Sequence, residues 1–203
     1  MEKMSGEIIR IERYRIDTDG QGISTLVAFH GCPLKCRYCL NDFCHDAACP
    51  RTYISPELLI EKVRVDAPYY EMSGGGIVFG GGEPLLNSTY ILHFAQMMPK
   101  EWVLRIETSL HVPWEAIQPL VPYVTEWLVD VKDTNPEIYQ KYTGMDNGVV
   151  LDNCRKLSAA VGSDRILFRL PLIPGYNTEA DRDKSRRLLD SLGRQDIFTY
   201  QLT

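Results

Sequence analysis

The 203-residue sequence lacks the long apolar runs that mark a membrane span or an export signal. No stretch approaches the roughly 20 consecutive apolar residues of a transmembrane helix, and the N-terminal residues MEKMSGEIIRIERYR contain no apolar core of the signal-peptide kind. Internal repeats, low-complexity tracts and linkers are also absent. We therefore expect one domain over residues 1–203, in a cytoplasmic protein that does not bind membranes.

The chain also lacks an excess of positive charge. Lys and Arg number 22 against 27 Asp and Glu, which gives a net charge of -5. This balance provides no general attraction for polyanions, so nucleic acid is not an expected partner. The composition, 44% hydrophobic and 24% charged residues, is that of an ordinary globular domain and excludes disorder and a coiled coil.

Short apolar runs alternate with longer helical segments through most of the chain, which is typical of βα units and a parallel sheet. We predict helices at 55–66, 88–98, 114–121, 147–161 and 180–192. Six buried strands are predicted at 25–29, 77–79, 103–106, 127–131, 166–170 and 197–201. The fold class is therefore α/β, a single-domain open partial TIM-type (βα)6 barrel, with its chemistry in the loops that follow the strands.

Five of the six cysteines fall between residues 32 and 49, which favours a metal site over a disulfide framework. Cys32, Cys36 and Cys39 follow the first predicted strand with C-x3-C-x2-C spacing. Their soft thiolates suit zinc or three irons of a cubane whose fourth iron stays open. A zinc loop is the alternative, completed by Cys44, Cys49, His30 or His45. Cys154 lies in a helical pattern and is predicted to be a buried small hydrophobe.

Two further motifs follow predicted strands. The segment GGGEP at 80–84 contains glycines that let a ligand approach the backbone closely. Asp130 and Lys132 lie two residues apart, so their side chains point the same way from an extended strand. With one negative and one positive charge, they can together bind a zwitterion. Each motif alone has an ordinary interpretation, a turn for the glycines and an ion pair for the D-x-K segment.

The cysteine loop at 31–40, including the aromatic Tyr38 before the third cysteine, resembles the cluster loop of the radical SAM superfamily. The GGEP segment resembles the one that holds the methionine amino group in that superfamily. There, the open iron of a [4Fe–4S] cluster binds S-adenosylmethionine, and reductive cleavage yields a 5′-deoxyadenosyl radical that abstracts hydrogen. The resemblance implies an oxidoreductase with metal ligands Cys32, Cys36 and Cys39, and cofactor-binding residues Tyr38, Gly81, Gly82, Glu83 and Pro84.

Within the superfamily, the chain resembles the activating enzymes of glycyl radical enzymes, of the pyruvate formate-lyase activating type. The segments DVK, PE, YTG and LDN between 130 and 153 follow their pattern without a gap, and RLPLIPGYN at 169–177 resembles their R-x-P-x-I-P-G-x-N turn. DGQGIST at 19–25 matches their DGPGIRT-like entry in part. The resemblance implies that Lys132, Arg169 and Gly175 contact S-adenosylmethionine, and that Glu107, Thr108 and Asp130 hold a monovalent cation.

The sequence departs from the activating enzymes in three places. Many of them carry an inserted segment with two more cysteine quartets, whereas this chain has only Cys44 and Cys49 between the cluster loop and the GGEP segment. Those two cysteines stay unassigned. Tyr139 stands where the family has a histidine, and the sequence ends at Thr203, before the point at which relatives place a histidine that touches S-adenosylmethionine.

The resemblance implies an anaerobic activating enzyme whose radical abstracts hydrogen from a glycine of a partner glycyl radical enzyme. A flavodoxin- or ferredoxin-type protein would supply the electron. One alternative is a small radical SAM enzyme acting on a peptide, nucleoside or other small molecule, since every cofactor motif would survive a change of substrate. The more distant alternative is a non-catalytic zinc or Fe–S module, which would make the later motifs coincidences.

Overall fold

One eight-stranded sheet organises the computed structural model, which describes residues 4–200. The sheet order is β3-β1-β2-β4-β5-β6-β7-β8, with β3 and β8 at its two open edges. From β2 to β8 the neighbouring strands are parallel, whereas β1 is antiparallel to both β2 and β3. The strands are β1 Gly6–Ile16, β2 Ile23–Phe29, β3 Thr52–Ile54, β4 Gly76–Gly81, β5 Val103–Thr108, β6 Glu126–Asp130, β7 Ile166–Leu172 and β8 Arg194–Thr199.

Helices connect the parallel strands, and several begin at caps that the sequence encodes. Ser55 accepts a hydrogen bond from the backbone of Leu58, and Thr178 forms a capping box with Asp181. Between residues 4 and 200, no helix has the length and apolar character needed to cross a membrane. The helices are α1 Pro56–Val63, α2 Ala67–Ser73, α3 Ser88–Met97, α4 Trp114–Ile117, α5 Pro136–Thr143, α6 Gly148–Val161 and α7 Glu179–Leu189.

The predicted open parallel α/β barrel is confirmed, with all six predicted strands present and their ends shifted by a few residues. Position 201 of the last predicted strand lies outside the described residues. Sequence patterns missed β1 and β3 because neither contains a continuous apolar run. Most residues of β1 are half-buried or exposed, since only one of its neighbours, β2, belongs to the buried parallel sheet.

The helical predictions differ from the structure in three places. Helix α2 was not predicted, although Gly74, with a φ of +70°, ends it in the left-handed conformation typical of a helix terminus. Helix α5 was not predicted, although Asn135 caps it by accepting hydrogen bonds from the backbone N–H groups of Glu137 and Ile138. The helix predicted at 114–121 is α-helical only to Ile117, because Pro119 has no N–H to continue the hydrogen-bond ladder.

The apolar core is built from the buried parallel strands and the helices on them. Val27, Phe79, Ile106 and Phe168 each have no exposed surface. Burial of side chains of this size stabilises the fold by about 1.5–3 kcal/mol each, so these strands fix the frame from which the loops project. Cys154 on α6 is fully buried in the same core, as predicted.

Candidate active site

The loops that follow β2, β4, β5 and β6 surround one cavity of about 150 Å³. Because these strands are parallel, their C-terminal ends meet at one edge of the sheet, where barrel enzymes place their chemistry. Most of the predicted site residues line this cavity, but Pro84, Arg169 and Gly175 do not. The lining residues are Cys32, Leu34, Cys36, Tyr38, Cys39, Leu40, Asn41, Gly81, Gly82, Glu83, Glu107, Thr108, Ser109, Asp130, Lys132, Tyr142 and Tyr200.

Cys32, Cys36 and Cys39 reach the cavity as half-buried free thiols. Backbone hydrogen bonds from Lys35 to Thr143, at 2.9 Å, and from Arg37 to Tyr142, at 3.2 Å, tie the cysteine loop to α5. Burial raises the pKa of Cys32 to about 12 and also raises that of Cys36. A metal that binds here must therefore displace thiol protons.

The donor set of this loop fits an iron–sulfur cluster. Three soft thiol ligands share one cavity, and thiolates are the ligands that such clusters prefer. Within residues 4–200, no three His, Cys, Asp or Glu side chains are grouped closely enough to hold a single metal ion. A cubane does not require such a group, because each cysteine ligates a different iron.

The glycines of the GGEP segment seat it directly against the cysteine loop. Gly81 has a φ of +93°, and a Cβ there would lie 2.5 Å from the Cβ of Ala28 on β2. A Cβ on Gly82 would lie 2.1 Å from the carbonyl oxygen of Gly31. The backbone N–H of Glu83 donates to that same carbonyl at 2.8 Å. Glycine is therefore required at both positions for the two loops to meet.

Glu83 is fully buried at the cavity, and its carboxylate accepts four hydrogen bonds. The hydroxyls of Thr108 and Ser109 each donate at 2.6 Å, and the backbone N–H groups of Ser109 and Leu85 donate at 2.9 and 3.2 Å. Burial raises the pKa of Glu83, and these donors oppose the shift. The carboxylate thus joins the end of β4 to the end of β5, a role that its motif does not reveal.

We expect Glu83→Gln to lower the free energy of unfolding by about 2–4 kcal/mol, because an amide NH2 would face donors and leave buried groups unpaired. The midpoint and slope of urea unfolding measure this loss. Glu101→Gln is the matched control, since Glu101 is exposed and its change should stay within about 0.5 kcal/mol. Equal stability of the two variants would show that the four hydrogen bonds do not hold this edge together.

A network of ion pairs links charged side chains at the cavity to Arg169 inside the barrel. The Nζ of Lys132 lies 3.2 Å from Asp130 and 3.3 Å from the hydroxyl of Tyr200. Burial lowers the pKa of Lys132, but the negative charge of Asp130 opposes it, and the net pKa stands well above the ordinary value. Arg169 pairs with Glu107 and lies 4.0 Å from Asp130, so its guanidinium is engaged inside the protein.

Several other residues that the sequence singled out do not line the cavity. Gly175 occupies an open turn with a φ of +78°, and the hydroxyl of Tyr38 donates to the adjacent Pro174 carbonyl at 3.3 Å. The entry motif at 19–25 lies at the opposite end of β2, where Arg15 binds the buried Asp19. Cys44 is buried and Cys49 half-buried, and neither lines the cavity.

Sequence reasoning missed several residues of the cavity wall, above all Ser109, Tyr142 and Tyr200. Ser109 directly follows the predicted pair Glu107 and Thr108, and its position after a strand was an available signal. Tyr142 lies inside the matched YTG segment, and no pattern indicates that its ring turns towards the cavity.

Comparison with known proteins identifies the family of this chain. Residues 26–189 match the family model described as the Radical SAM superfamily. The (2S)-3-sulfopropanediol dehydratase activating enzyme of Klebsiella oxytoca is 31% identical over 260 aligned positions, covering 97% of this chain and 81% of the relative. The pyruvate formate-lyase 2-activating enzyme of Escherichia coli K12 is 30% identical over 216 positions, covering 91% of this chain and 72% of the relative.

A solved structure is also similar. The crystal structure of a domain of pyruvate-formate lyase-activating enzyme from Bacteroides vulgatus ATCC 8482 has a TM-score of 0.53 and 26% identity, covering 61% of this chain and 78% of that one. The family model and the relatives thus point to one superfamily, and the solved structure is consistent with the open sheet. The chain belongs to the radical SAM superfamily, whose members use a [4Fe–4S] cluster and S-adenosylmethionine.

Proposed function

We propose that this chain activates a partner glycyl radical enzyme by abstracting hydrogen from a glycine of that partner. The observation that carries the proposal is the similarity to activating enzymes over 97% of the chain, at 31% identity. The two relatives are named as activating enzymes of a dehydratase and of a lyase, and activation is the property that we extend to this chain. Residues 1–203 would form one radical SAM core domain.

In this proposal Cys32, Cys36 and Cys39 hold the cluster. When bound, the cluster supplies the electron that cleaves S-adenosylmethionine to methionine and a 5′-deoxyadenosyl radical. Gly81 and Gly82 line the same cavity as these cysteines, which supports a ligand position beside both loops.

The charges of the cavity suit the zwitterionic end of S-adenosylmethionine. Lys132 supplies a positive charge for the carboxylate, while Glu83 and Glu107 supply negative charge towards the amino group. The carboxylate of Glu83 already accepts four hydrogen bonds. It would therefore act on the amino group through its negative charge, and it would hold the GGEP segment in place. Tyr38, Pro84, Arg169 and Gly175 complete the proposed binding residues around the cavity.

Glu107, Thr108 and Asp130 remain the proposed monovalent-cation site. All three line the cavity, and two of them are carboxylates, which suit hard cations. Arg169 pairs with Glu107 and Lys132 with Asp130, so a bound cation would share carboxylate oxygens that already have basic partners.

The partner and the electron donor are proteins in this proposal. The parallel sheet ends at β8 without closing, which supports access by a loop of a large substrate. We assign electron delivery to a flavodoxin- or ferredoxin-type protein and the reaction to the anaerobic cytoplasm. The net charge of -5 supports the absence of nucleic acid among the partners.

Electron paramagnetic resonance tests the substrate directly. The reconstituted enzyme is reduced anaerobically with S-adenosylmethionine and a purified glycyl radical enzyme from the source organism. We expect a glycyl radical signal on the partner, lost when its radical glycine is replaced by alanine. Cleavage of S-adenosylmethionine accompanied by hydrogen abstraction from a peptide, nucleoside or metabolite, and no partner radical, would contradict the proposal.

A further inference from the structure

A cluster of tyrosines forms the cavity wall beside the cysteine loop. The ring of Tyr142 packs edge-on against Tyr38 and Tyr176, with centroids 6.0 and 5.1 Å apart. Its backbone carbonyl accepts the hydrogen bond from Arg37. The Tyr142 ring is therefore held in a fixed position relative to the three cysteines.

The hydroxyl of Tyr142 has no hydrogen-bond partner within residues 4–200, although only 1% of the residue is exposed. Nearly all buried hydroxyls in proteins have a partner, because an unpartnered one loses its bonds to water without replacement. Tyr142 also lines the cavity. A rigid phenol of this kind is suited to donate its hydrogen bond to a molecule bound there.

The groups that line the cavity with Tyr142 indicate which ligand group its hydroxyl would donate to. Lys132 donates to the hydroxyl oxygen of Tyr200 at 3.3 Å, so the Tyr200 proton is free to be donated elsewhere. Both residues line the cavity together with Tyr142. One ammonium and two hydroxyls, from three separate segments of the chain, form a set of donors with a positive charge, which suits a carboxylate.

We propose that Tyr142, with Tyr200 beside Lys132, binds the carboxylate of the methionine moiety of S-adenosylmethionine. This inference rests on the proposed function, since it takes S-adenosylmethionine as the molecule in the cavity. It adds two positioning residues to those that the motifs indicate. The carboxylate would occupy the side of the cavity nearest α5 and the residue that follows β8.

Binding to the anaerobically reconstituted holoenzyme tests the inference. Two ligands are compared by equilibrium dialysis: S-adenosylmethionine and 5′-methylthioadenosine, which lacks the amino and carboxylate groups. We expect Tyr142→Phe to weaken S-adenosylmethionine binding about tenfold, as loss of one hydrogen bond to a charged group does. Binding of 5′-methylthioadenosine should change by less than about twofold.

Two further variants make the test specific. Tyr200→Phe should weaken S-adenosylmethionine binding in the same selective way, and it carries the test if Tyr142→Phe fails to fold. Tyr90→Phe is the control, because the hydroxyl of Tyr90 is also buried and unpartnered in the described chain but lies outside the cavity lining. Iron content and circular dichroism establish that each variant is loaded and folded.

The outcomes separate this inference from the proposed function. Unchanged affinity for S-adenosylmethionine in both cavity variants, or equal weakening for the two ligands, would overturn the carboxylate contact. A wild-type holoenzyme with about four irons that binds no S-adenosylmethionine would overturn the proposed function, and this inference with it.

Discussion

Replacing Cys36 with alanine is expected to reduce the release of 5′-deoxyadenosine by more than about 100-fold. Even residues that only support a metal ligand typically contribute 10–100-fold, and Cys36→Ala removes a ligand itself. One iron loses its protein thiolate, because no other cysteine among residues 4–200 lines the cavity besides Cys32 and Cys39. Iron analysis and chromatography of the reaction products after anaerobic reduction measure the loss.

Cys154→Ala is the matched control for this variant. Cys154 is fully buried on α6 and lies outside the cavity lining, so its loss removes a packed sulfur and no ligand. We expect full iron content and cleavage, with a loss of roughly 1 kcal/mol in the free energy of unfolding. Wild-type turnover in Cys36→Ala would refute the assignment of the cluster to this loop.

The second large effect is expected at Lys132. Lys132→Met should weaken binding of S-adenosylmethionine by about 100-fold, because the cavity loses its lysine charge and a charge-assisted hydrogen bond. The substitution also leaves the carboxylate of Asp130 with Arg169, at 4.0 Å, as its remaining ion-pair partner among residues 4–200. Equilibrium dialysis with the reconstituted enzyme measures the affinity.

Lys156→Met provides the corresponding control. Lys156 also pairs with an aspartate, Asp152, at 2.7 Å, but both side chains are about half exposed on α6. Exposed pairs contribute little, so affinity should stay unchanged and stability should shift by less than about 1 kcal/mol. If both variants bound S-adenosylmethionine like the wild type, Lys132 would not contact it.

The parallel part of the fold was predictable because buried strands reveal themselves as apolar runs. Residues such as Ile77, Val78 and Phe79 are fully buried, and their pattern marked β4 correctly. Strand β1 gave no such signal, since Arg10 and Glu12 form an ion pair on its exposed surface. A polar strand near the edge of a sheet can be identified only from the strands that it pairs with in the folded structure.

The site was predictable where it consists of motifs that directly follow strands. The cysteine loop, the GGEP segment and the D-x-K segment all reached the cavity, since parallel strands bring their ends to one edge. Contacts between distant segments were not predictable. Arg169 pairs with Glu107, 62 residues away, and whether an arginine faces a ligand or an internal carboxylate depends on the packing of both strands.

The role of Glu83 illustrates the same limit. Its motif indicates a group that faces the ligand, but its four donors come from the residues just after it and from the end of β5. Only the alignment of β4 with β5 brings these groups together. The site therefore depends on a buried polar connection that motif matching does not show.

The central claim is that three cysteines hold a cluster that cleaves S-adenosylmethionine in the cavity at this sheet edge. The most direct test is anaerobic reconstitution of the wild-type chain, followed by reduction with dithionite in the presence of S-adenosylmethionine. We expect about four irons per chain, thiolate-to-iron absorption and release of 5′-deoxyadenosine. One zinc ion per chain, with no cleavage of S-adenosylmethionine, would contradict the central claim.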